Sequence, residues 1–226
     1  NRQIDLRGMG PENTLILVDG KPVTSRNSVR MGRSGERNTR GDTNWVPVEA
    51  VERIEVLRGP AAARYGSGAA GGVINIITKA PGEHLTGSVT AYALAPEHGE
   101  EGASRRLGFN LAGPLANKLS FRVFGNVNKT EADDLALNAT PENTAGGAIP
   151  PAGREGVRNR DIGGLLRWDV ATGQVLEFES AFSRQGNIFA GDRAVNGAET
   201  NVMLRRTASL THRGTWGATS SRLWLT

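Results

Sequence analysis

The sequence predicts a mixed α/β domain followed by the first antiparallel strands of a transmembrane β-barrel. Up to about residue 79, β-type runs and short helical pieces alternate and are broken by glycines. Beyond it, segments of about ten residues recur in which apolar and polar side chains alternate, the length expected of tilted membrane strands. Short and long connections alternate between these segments, as in bacterial membrane barrels. We therefore assign residues 1–79 to the first domain and 80–226 to the barrel.

The composition supports a protein rich in strands and turns. The 226 residues include 30 Gly and no Cys, and only 38% are hydrophobic. Such values suit a barrel with a wet interior better than a helical core. The lack of Cys removes disulfides, thiolate metal sites and Cys nucleophiles together. No run of about 18 apolar residues occurs, so the sequence predicts no transmembrane helix.

The charge distribution does not favour nucleic acid as a partner. The net charge is +4 and the sequence pI is near 9.9, values that could suit an acidic polymer. The basic residues, however, are spread along the chain. Their densest group lies in a Gly-, Ser- and Asn-rich stretch without helical periodicity and consists of Arg26, Arg30, Arg33, Arg37 and Arg40.

The first half of the first domain is predicted as a hairpin and a long loop. Residues 15–18 form an apolar β-type run. Asp19-Gly20 follows as a tight turn, because both residues tolerate positive φ, and residues 21–23 begin the return strand. Residues 24–44 are polar and lack an apolar period. Loops of this length inside a compact domain are usually functional.

The second half alternates short helical pieces with strands. Residues 47–50 suit one helical turn with Pro47 at its start. A strand over 51–57, a helical piece over 61–65 and a β-branched strand over 73–78 follow. Gly66-Ser67-Gly68-Ala69-Ala70-Gly71 matches the dinucleotide-binding string, but that mechanism needs a strand before it and a helix after it. The predicted order is the reverse, which argues against a nucleotide-dependent oxidoreductase.

The remaining segments place apolar side chains on one strand face and polar ones on the other. Leu119, Phe121 and Val123, for example, oppose Ser120 and Arg122. A soluble sandwich is the alternative, but the opposite faces offer no second apolar set for a sheet-on-sheet core. Short turns are predicted at 113–117 and 171–173, and long loops at 129–156 and 186–201.

The sequence offers no catalytic or metal-binding arrangement. His84, His98 and His212 lie far apart and lack the spacing of metal ligands. Glu177 and Glu179 share one strand face, and we interpret them as solvated charges. We therefore predict neither an enzyme nor a protein metal site.

Both ends of the sequence favour a fragment. It opens at Asn1 without an initiator Met and stops at Thr226 within an alternating run. We expect the start of the first domain and most of the barrel to be missing.

Three stretches resemble the plug domain of TonB-dependent receptors, an outer-membrane family. They are residues 2–10, residues 13–22 and, most specifically, residues 51–78, VERIEVLRGPAAARYGSGAAGGVINIIT. They cover most of the first third of the chain. Further segments resemble the ferric enterobactin receptors within that family, and these are residues 26–30, 35–45, 95–98, 151–157 and 183–187.

The resemblance implies an outer-membrane receptor of a Gram-negative bacterium that imports a ferric siderophore of the catecholate class. TonB would supply the energy, although the TonB box is absent from this sequence. Iron would arrive inside its chelate, so no cofactor and no protein ligands to iron are implied. Membrane lipid is a further partner, and colicins and phages stay open. A passive porin-like barrel is the alternative, which a compact first domain argues against.

The resemblance also implies two sets of site residues. Arg26, Arg30, Arg33, Arg37 and Arg40 would guide an anionic aromatic ligand by charge and by stacking, although at least two of them are expected only to line a wet interface. Arg7 and Arg58 match the plug arginines that family members pair with barrel-wall glutamates, whose positions would lie beyond Thr226. The alternative is that each arginine caps nearby backbone carbonyls.

Overall fold

The computed structural model describes residues 4, 6–10, 13–22, 29–31, 37–39, 46, 48–65, 68–151, 153–188 and 199–225. For residues 29–31, 37–39, 49, 62 and 199–201 it describes the backbone alone. The chain divides into two compact units, residues 1–80 and 81–226.

The first unit is built on a four-stranded mixed sheet. Its strands and helices, with a separate two-stranded ribbon, are β1 (Thr14–Val18), β2 (Lys21–Pro22), β3 (Val29–Met31), β4 (Arg37–Thr39), a 3-10 turn (Val48–Ala50), β5 (Val51–Arg58), α1 (Ala62–Tyr65) and β6 (Gly72–Thr78). The sheet order is β2-β1-β6-β5, with β1 parallel to β6 and the other pairs antiparallel. Ile16, Val18, Ile74 and Ile76 are buried together with Val46. These β-branched side chains favour strands and supply the core of the unit.

The predicted tight turn after β1 is confirmed, and its residues also form hydrogen bonds to β6. Asp19 and Gly20 both have positive φ, 50° and 73°. The Asp19 carboxylate accepts hydrogen bonds from the Thr78 backbone N–H (2.9 Å) and hydroxyl (2.6 Å). The Gly20 N–H donates to Asn75 Oδ1 at 2.9 Å. The turn therefore fastens the end of β1 to the end of β6.

The prediction of an uninterrupted loop over 24–44 is wrong in one respect. β3 and β4 pair as an antiparallel ribbon inside that stretch, with Arg30 opposite Asn38 and Met31 opposite Arg37. Strands of three residues are too short to show a period of two in the sequence. The order of elements around Gly66, by contrast, is as predicted, since α1 precedes the glycines and β6 follows them.

The second unit is a single antiparallel sheet in which each strand pairs with its neighbours in sequence. Its strands are β7 (Thr86–Leu94), β8 (Ser104–Ala116), β9 (Leu119–Thr130), β10 (Gly156–Ala171), β11 (Gln174–Ile188), β12 (Glu199–Trp216) and β13 (Thr219–Leu225). The 131–155 connection contains 3-10 turns at Leu135–Asn138 and Ala145–Gly147 and the short helix α2 (Pro141–Thr144).

The connections alternate in length, as predicted. Two-residue turns join β8 to β9, β10 to β11 and β12 to β13, whereas residues 95–103, 131–155 and 189–198 join the other pairs. All the long connections therefore lie at one end of the sheet, called here the long-loop end. Within the described residues, no helix is long and apolar enough to cross a membrane.

The predicted turn at 113–117 is wrong in its position. β8 continues to Ala116, and the turn consists of Asn117 and Lys118, whose φ is 62°. Pro114 is tolerated within the strand because the pairing of β8 with β7 has already ended at Ala112. The missing N–H of Pro114 therefore costs no ladder hydrogen bond on that side.

The polarity of the sheet is the reverse of that in a water-soluble protein. One face, called the apolar face, exposes Leu107 (56%), Phe178 (50%) and Leu204 (63%). The opposite polar face buries Asp161 (5%), Glu177 (6%) and Thr211 (0%). Charged side chains are inside and large apolar ones outside, the pattern of a membrane barrel with a polar lumen.

Candidate functional site

The structure brings Arg7 and Arg58 to the same end of the first sheet. Arg7 lies in a left-handed turn, with φ of 61° followed by 68° at Gly8. Leu6, just before it, lies against Gly72, where an added Cβ would come within 2.8 Å of Leu6 Cδ1. Arg58 is the last residue of β5 and pairs with that same Gly72. Two arginines 51 positions apart in sequence therefore flank one structural junction.

The side chains of Arg7 and Arg58 are directed to solvent within their unit. Both residues are exposed. Among the described residues, neither guanidinium forms an ion pair or a hydrogen bond. The capping alternative, in which each arginine binds nearby carbonyls, is therefore not realised in the described part of the chain. Their pairing with barrel-wall glutamates stays a prediction.

The Arg-rich stretch is described only in part. Arg30 lies in β3 and Arg37 in β4, on the two strands of the ribbon. Arg26, Arg33 and Arg40 lie outside the described residues. The structure thus places the backbone of two of the five predicted ligand-guiding residues on one element.

The polar face of the second unit contains a buried hydrogen-bonded row across three strands. Asp161 in β10 lies opposite Asn126 in β9 and Ser183 in β11. The Asn126 amide donates to one carboxylate oxygen at 2.9 Å, and the Ser183 hydroxyl donates to the other. All three residues are buried. Because a buried carboxylate needs donors on both oxygens, this row fixes the register of the three strands as well as their spacing.

The interpretation of Glu177 as a solvated charge is wrong. Glu177 is buried, and its carboxylate contacts the Arg213 guanidinium at 2.9 Å and that of Arg167 at 3.6 Å. Glu179, one row away, accepts a hydrogen bond from Ser209 at 3.1 Å. The arginine partners lie on neighbouring strands, so the sequence of β11 alone could not reveal them. The register of β10 against β11 would have revealed one of these partners, because it places Arg167 directly opposite Glu177.

A third buried carboxylate connects two of the long connections. Asp133 accepts hydrogen bonds from the backbone N–H of Gly102 (2.9 Å) and of Arg154 (2.6 Å). The Arg154 guanidinium donates to the Gly102 carbonyl at 2.6 Å and lies 3.3 Å from Asp133. Burial alone would raise the pKa of Asp133, but these two N–H donors and the arginine charge hold it below its ordinary value. Asp133 and Arg154 therefore hold the 95–103 and 131–155 connections together.

Residues 1–73 match the family model described as TonB-dependent Receptor Plug Domain. The first unit, with its mixed sheet, therefore matches the plug domain, and the antiparallel strands of the second unit resemble the start of the barrel of such a receptor. Over almost its whole length the chain is thus similar to part of a TonB-dependent receptor of the outer membrane, as the sequence predicts.

The most similar proteins found form one group within the TonB-dependent receptors. The chain is 60% identical to the ferric enterobactin receptor PirA of Pseudomonas aeruginosa over 98% of its own length and 31% of that protein. It is 57% identical to the ferrienterobactin receptor of Escherichia coli K12, over 98% of the chain and 32% of the relative. A crystal structure of a mutant of the P. aeruginosa ferric enterobactin receptor PfeA, in complex with enterobactin, has 58% identity and a TM-score of 0.87. That match covers 99% of this chain and 34% of the other.

These similarities run through both units, so the chain is similar to ferric enterobactin receptors as well as to the wider family. It spans about a third of the length of the curated relatives it matches. Sequence reasoning identified the plug, and the role of Arg7 and Arg58 stays a prediction. It missed Asp133 with Arg154 and the pairing of Glu177, because those contacts form between segments that are distant in sequence.

Proposed function

We propose that this chain is part of an outer-membrane receptor that takes up a ferric siderophore of the catecholate class, energised by TonB. The observation that carries the proposal is the identity of 57–60% with named ferric enterobactin receptors over 98% of the chain, plug and barrel strands together. The likeness includes the barrel strands, so it is not confined to the plug domain that the wider family shares.

The chemistry of the chain suits such a ligand. A ferric tris-catecholate is anionic and carries aromatic rings, and arginine can both attract the charge and stack on the ring faces. Arg30 and Arg37 lie on the β3–β4 ribbon, and Arg26, Arg33 and Arg40 belong to the same stretch of sequence. Iron would travel inside its chelate, so the protein would supply neither a cofactor nor a ligand to the metal.

A passive porin-like barrel is less well supported, because residues 1–73 match a plug domain and a passive channel has no need of one. An enzymatic role is also not favoured, since the relatives are named as receptors. Use of the receptor by colicins or phages stays a prediction.

The test uses the full-length receptor, meaning a chain of the relatives' length that contains these 226 residues. Neutralising Arg30, Arg33 and Arg37 together to Gln should weaken binding of ferric catecholates. Part of the loss should disappear at high salt, because steering of a charged ligand is screened beyond about 8–10 Å.

The matched control removes three positive charges elsewhere, at Arg64, Lys79 and Lys118, and should leave affinity unchanged. Equal affinity of the test variant and the wild type for every ferric catecholate, at low and high salt, would reject the ligand-guiding role. Failure of the wild type to bind any ferric catecholate would reject the proposed ligand class.

A further inference from the structure

Residues 95–103 and 131–155, called here the first and second connections, are joined by more than the Asp133 carboxylate. Their backbones also pair, because the second connection donates two N–H groups to carbonyl oxygens of the first, at 2.8 and 2.7 Å. The donor and acceptor pairs are Glu131 with Ala103 and Asp134 with Glu100. These two bonds lie on either side of Asp133 in the sequence, so the first connection is attached along the whole start of the second.

Two glycines pack against the same short segment and leave no room for a side chain. A Cβ added at Gly102, in the first connection, would collide with the Glu131 carbonyl oxygen. A Cβ added at Gly153, near the end of the second connection, would lie 2.8 Å from Asp133 Cβ. Close packing of this kind has no spare volume, so residues 131–133 cannot move without moving the segments on both sides of them.

Arg154 closes the arrangement from the far end of the second connection. Its guanidinium donates to the Gly102 carbonyl at 2.6 Å and its N–H donates to the Asp133 carboxylate at 2.6 Å. The Asp133 N–H donates in return to the Arg154 carbonyl at 3.0 Å. The three segments that meet at Asp133 lead directly into β8, β9 and β10. Together they are called the loop base, which consists of residues 100–103, 131–134 and 153–156.

We propose that the loop base is one cooperative unit, positioned by Asp133, so that the first and second connections open and shift together. Such a unit loses its contacts as a group and not one by one. The two connections are separated in the sequence by β8 and β9, yet the contacts that hold each of them are made to the other. A ligand or partner that displaces one connection must therefore displace both.

The charges around the loop base keep this unit closed at neutral pH. The charged and titratable groups on the segments that meet at Asp133 are Glu97, His98, Glu100, Glu101, Glu131, Asp134, Arg154 and Glu155. Among the described residues of this set, Arg154 forms the ion pair with Asp133, whereas Glu131 contacts Lys129 and Arg105. Burial opposes the charged form of Asp133, but its N–H donors and Arg154 lower the pKa of its carboxyl.

The experiment measures amide hydrogen exchange by mass spectrometry in the full-length receptor, with Gly102→Ala in the first connection. Exchange should accelerate about 5- to 150-fold at the amides of Asp133 and Arg154, the range that corresponds to the usual cost of overpacking. Neither of these N–H groups donates to the first connection. Gly99→Ala is the matched control in the same connection, because a Cβ there meets nothing within 4 Å.

The Thr144 N–H, which donates within α2 at 3.1 Å, is an internal control and should exchange at the same rate in both variants. If Gly102→Ala does not show the gel mobility of a folded barrel, the wild type provides a second arm. Its amides in the two connections should lose protection together as the pH falls below about 4, because protonated Asp133 is a poorer acceptor.

The Glu131→Gln variant should retain this response to acid, since Glu131 contacts Lys129 and Arg105 and not Asp133. Unchanged exchange at Arg154 in a folded Gly102→Ala variant would overturn the proposal. Loss of protection at different pH values in the two connections would also overturn it, because the connections would then open independently.

Discussion

At the scale of single residues, buried and half-buried carboxylates organise both units of the chain. Asp19 fastens β1 to β6 in the first unit, and Asp161 and Glu177 join neighbouring strands in the second. Each satisfies its oxygens with donors from segments far away in sequence. Asp133 does the same for the loops, where Gly102 and Arg154 both donate to it.

Loss of the Asp133 charge should loosen the loops. The pKa of this carboxyl lies below its ordinary value, so its contribution is fully present above about pH 4 and disappears as the pH falls through the lowered pKa. Asp133→Asn should weaken hydrogen bonds worth about 1.5–3 kcal/mol. Amide exchange at Gly102 and Arg154 should then accelerate about 10- to 100-fold at neutral pH.

The neighbouring Asp134→Asn variant is the matched control for Asp133. Asp134 is the N-cap of the 3-10 turn, where it accepts from the Ala136 N–H at 2.8 Å. Asn caps about as well as Asp, so exchange should change little. If the two variants show the same amide exchange at Gly102 and Arg154, Asp133 does not hold the two loops together.

Arg7 and Arg58 give the second prediction at this scale. If they pair with barrel-wall glutamates, Arg7→Glu or Arg58→Glu in the full-length receptor should place like charges together and leave a buried acid uncompensated, at about 3–5 kcal/mol. Hydrogen exchange in the plug should rise and ferric siderophore uptake should change. A second Glu→Arg change at the wall partner should restore both. Single swaps that alter neither exchange nor uptake would refute the pairing.

At the scale of elements, glycine geometry sets the junction between β5, β6 and the Arg7 turn. Gly72 has φ of 142°, and an added Cβ would collide with the Leu57 carbonyl oxygen. Gly72→Ala should cost about 1–3 kcal/mol from the backbone alone, with the collision added to it. In the full-length receptor, the β6 amides should exchange faster. Gly82→Ala is the control, because a Cβ there meets nothing within 4 Å, and equal exchange in the two variants would contradict this account.

Elements also show what the sequence could predict. Alternation identified every strand of the second unit and its faces, since the period of side chains along a strand is fixed by the backbone. It could not give the partners, because register depends on turns such as Thr172-Gly173, whose length decides that Arg167 meets Glu177. The sequence did not give the end of β8, because Pro114 locally indicates a turn. Pro114 can lie within the strand because the pairing of β8 with β7 ends at Ala112.

The candidate sites were predictable to different degrees. Motifs that span the plug predicted Arg7 and Arg58 as a site, and the structure adds that Gly72 pairs with Arg58 and contacts Leu6, the residue before Arg7. The buried row of Asn126, Asp161 and Ser183 could not be found in this way. Its hydrogen bonds exist only once β9, β10 and β11 are in register.

At the scale of the whole molecule, the inverted polarity of the second unit decides where the chain can be stable. Lipid would cover its exposed Leu, Val and Phe side chains, and the paired polar groups would face the lumen. The sheet has β7 and β13 at its two edges, each with one neighbour among the described strands. Receptors with a plugged lumen use about 22 strands, and closure of the barrel removes such edges.

The 226-residue chain expressed alone should therefore be insoluble or aggregate. Its edge strands would offer unpaired backbone groups to other copies, and its apolar face would lack lipid. Size-exclusion chromatography after extraction into mild detergent should show polydisperse material without a cooperative melt. The full-length receptor, handled identically, should elute as a single species whose gel mobility changes on heating. A monomeric 226-residue product that is soluble without detergent and melts cooperatively would contradict the membrane assignment of the second unit, because such a protein would have found another way to bury this apolar face.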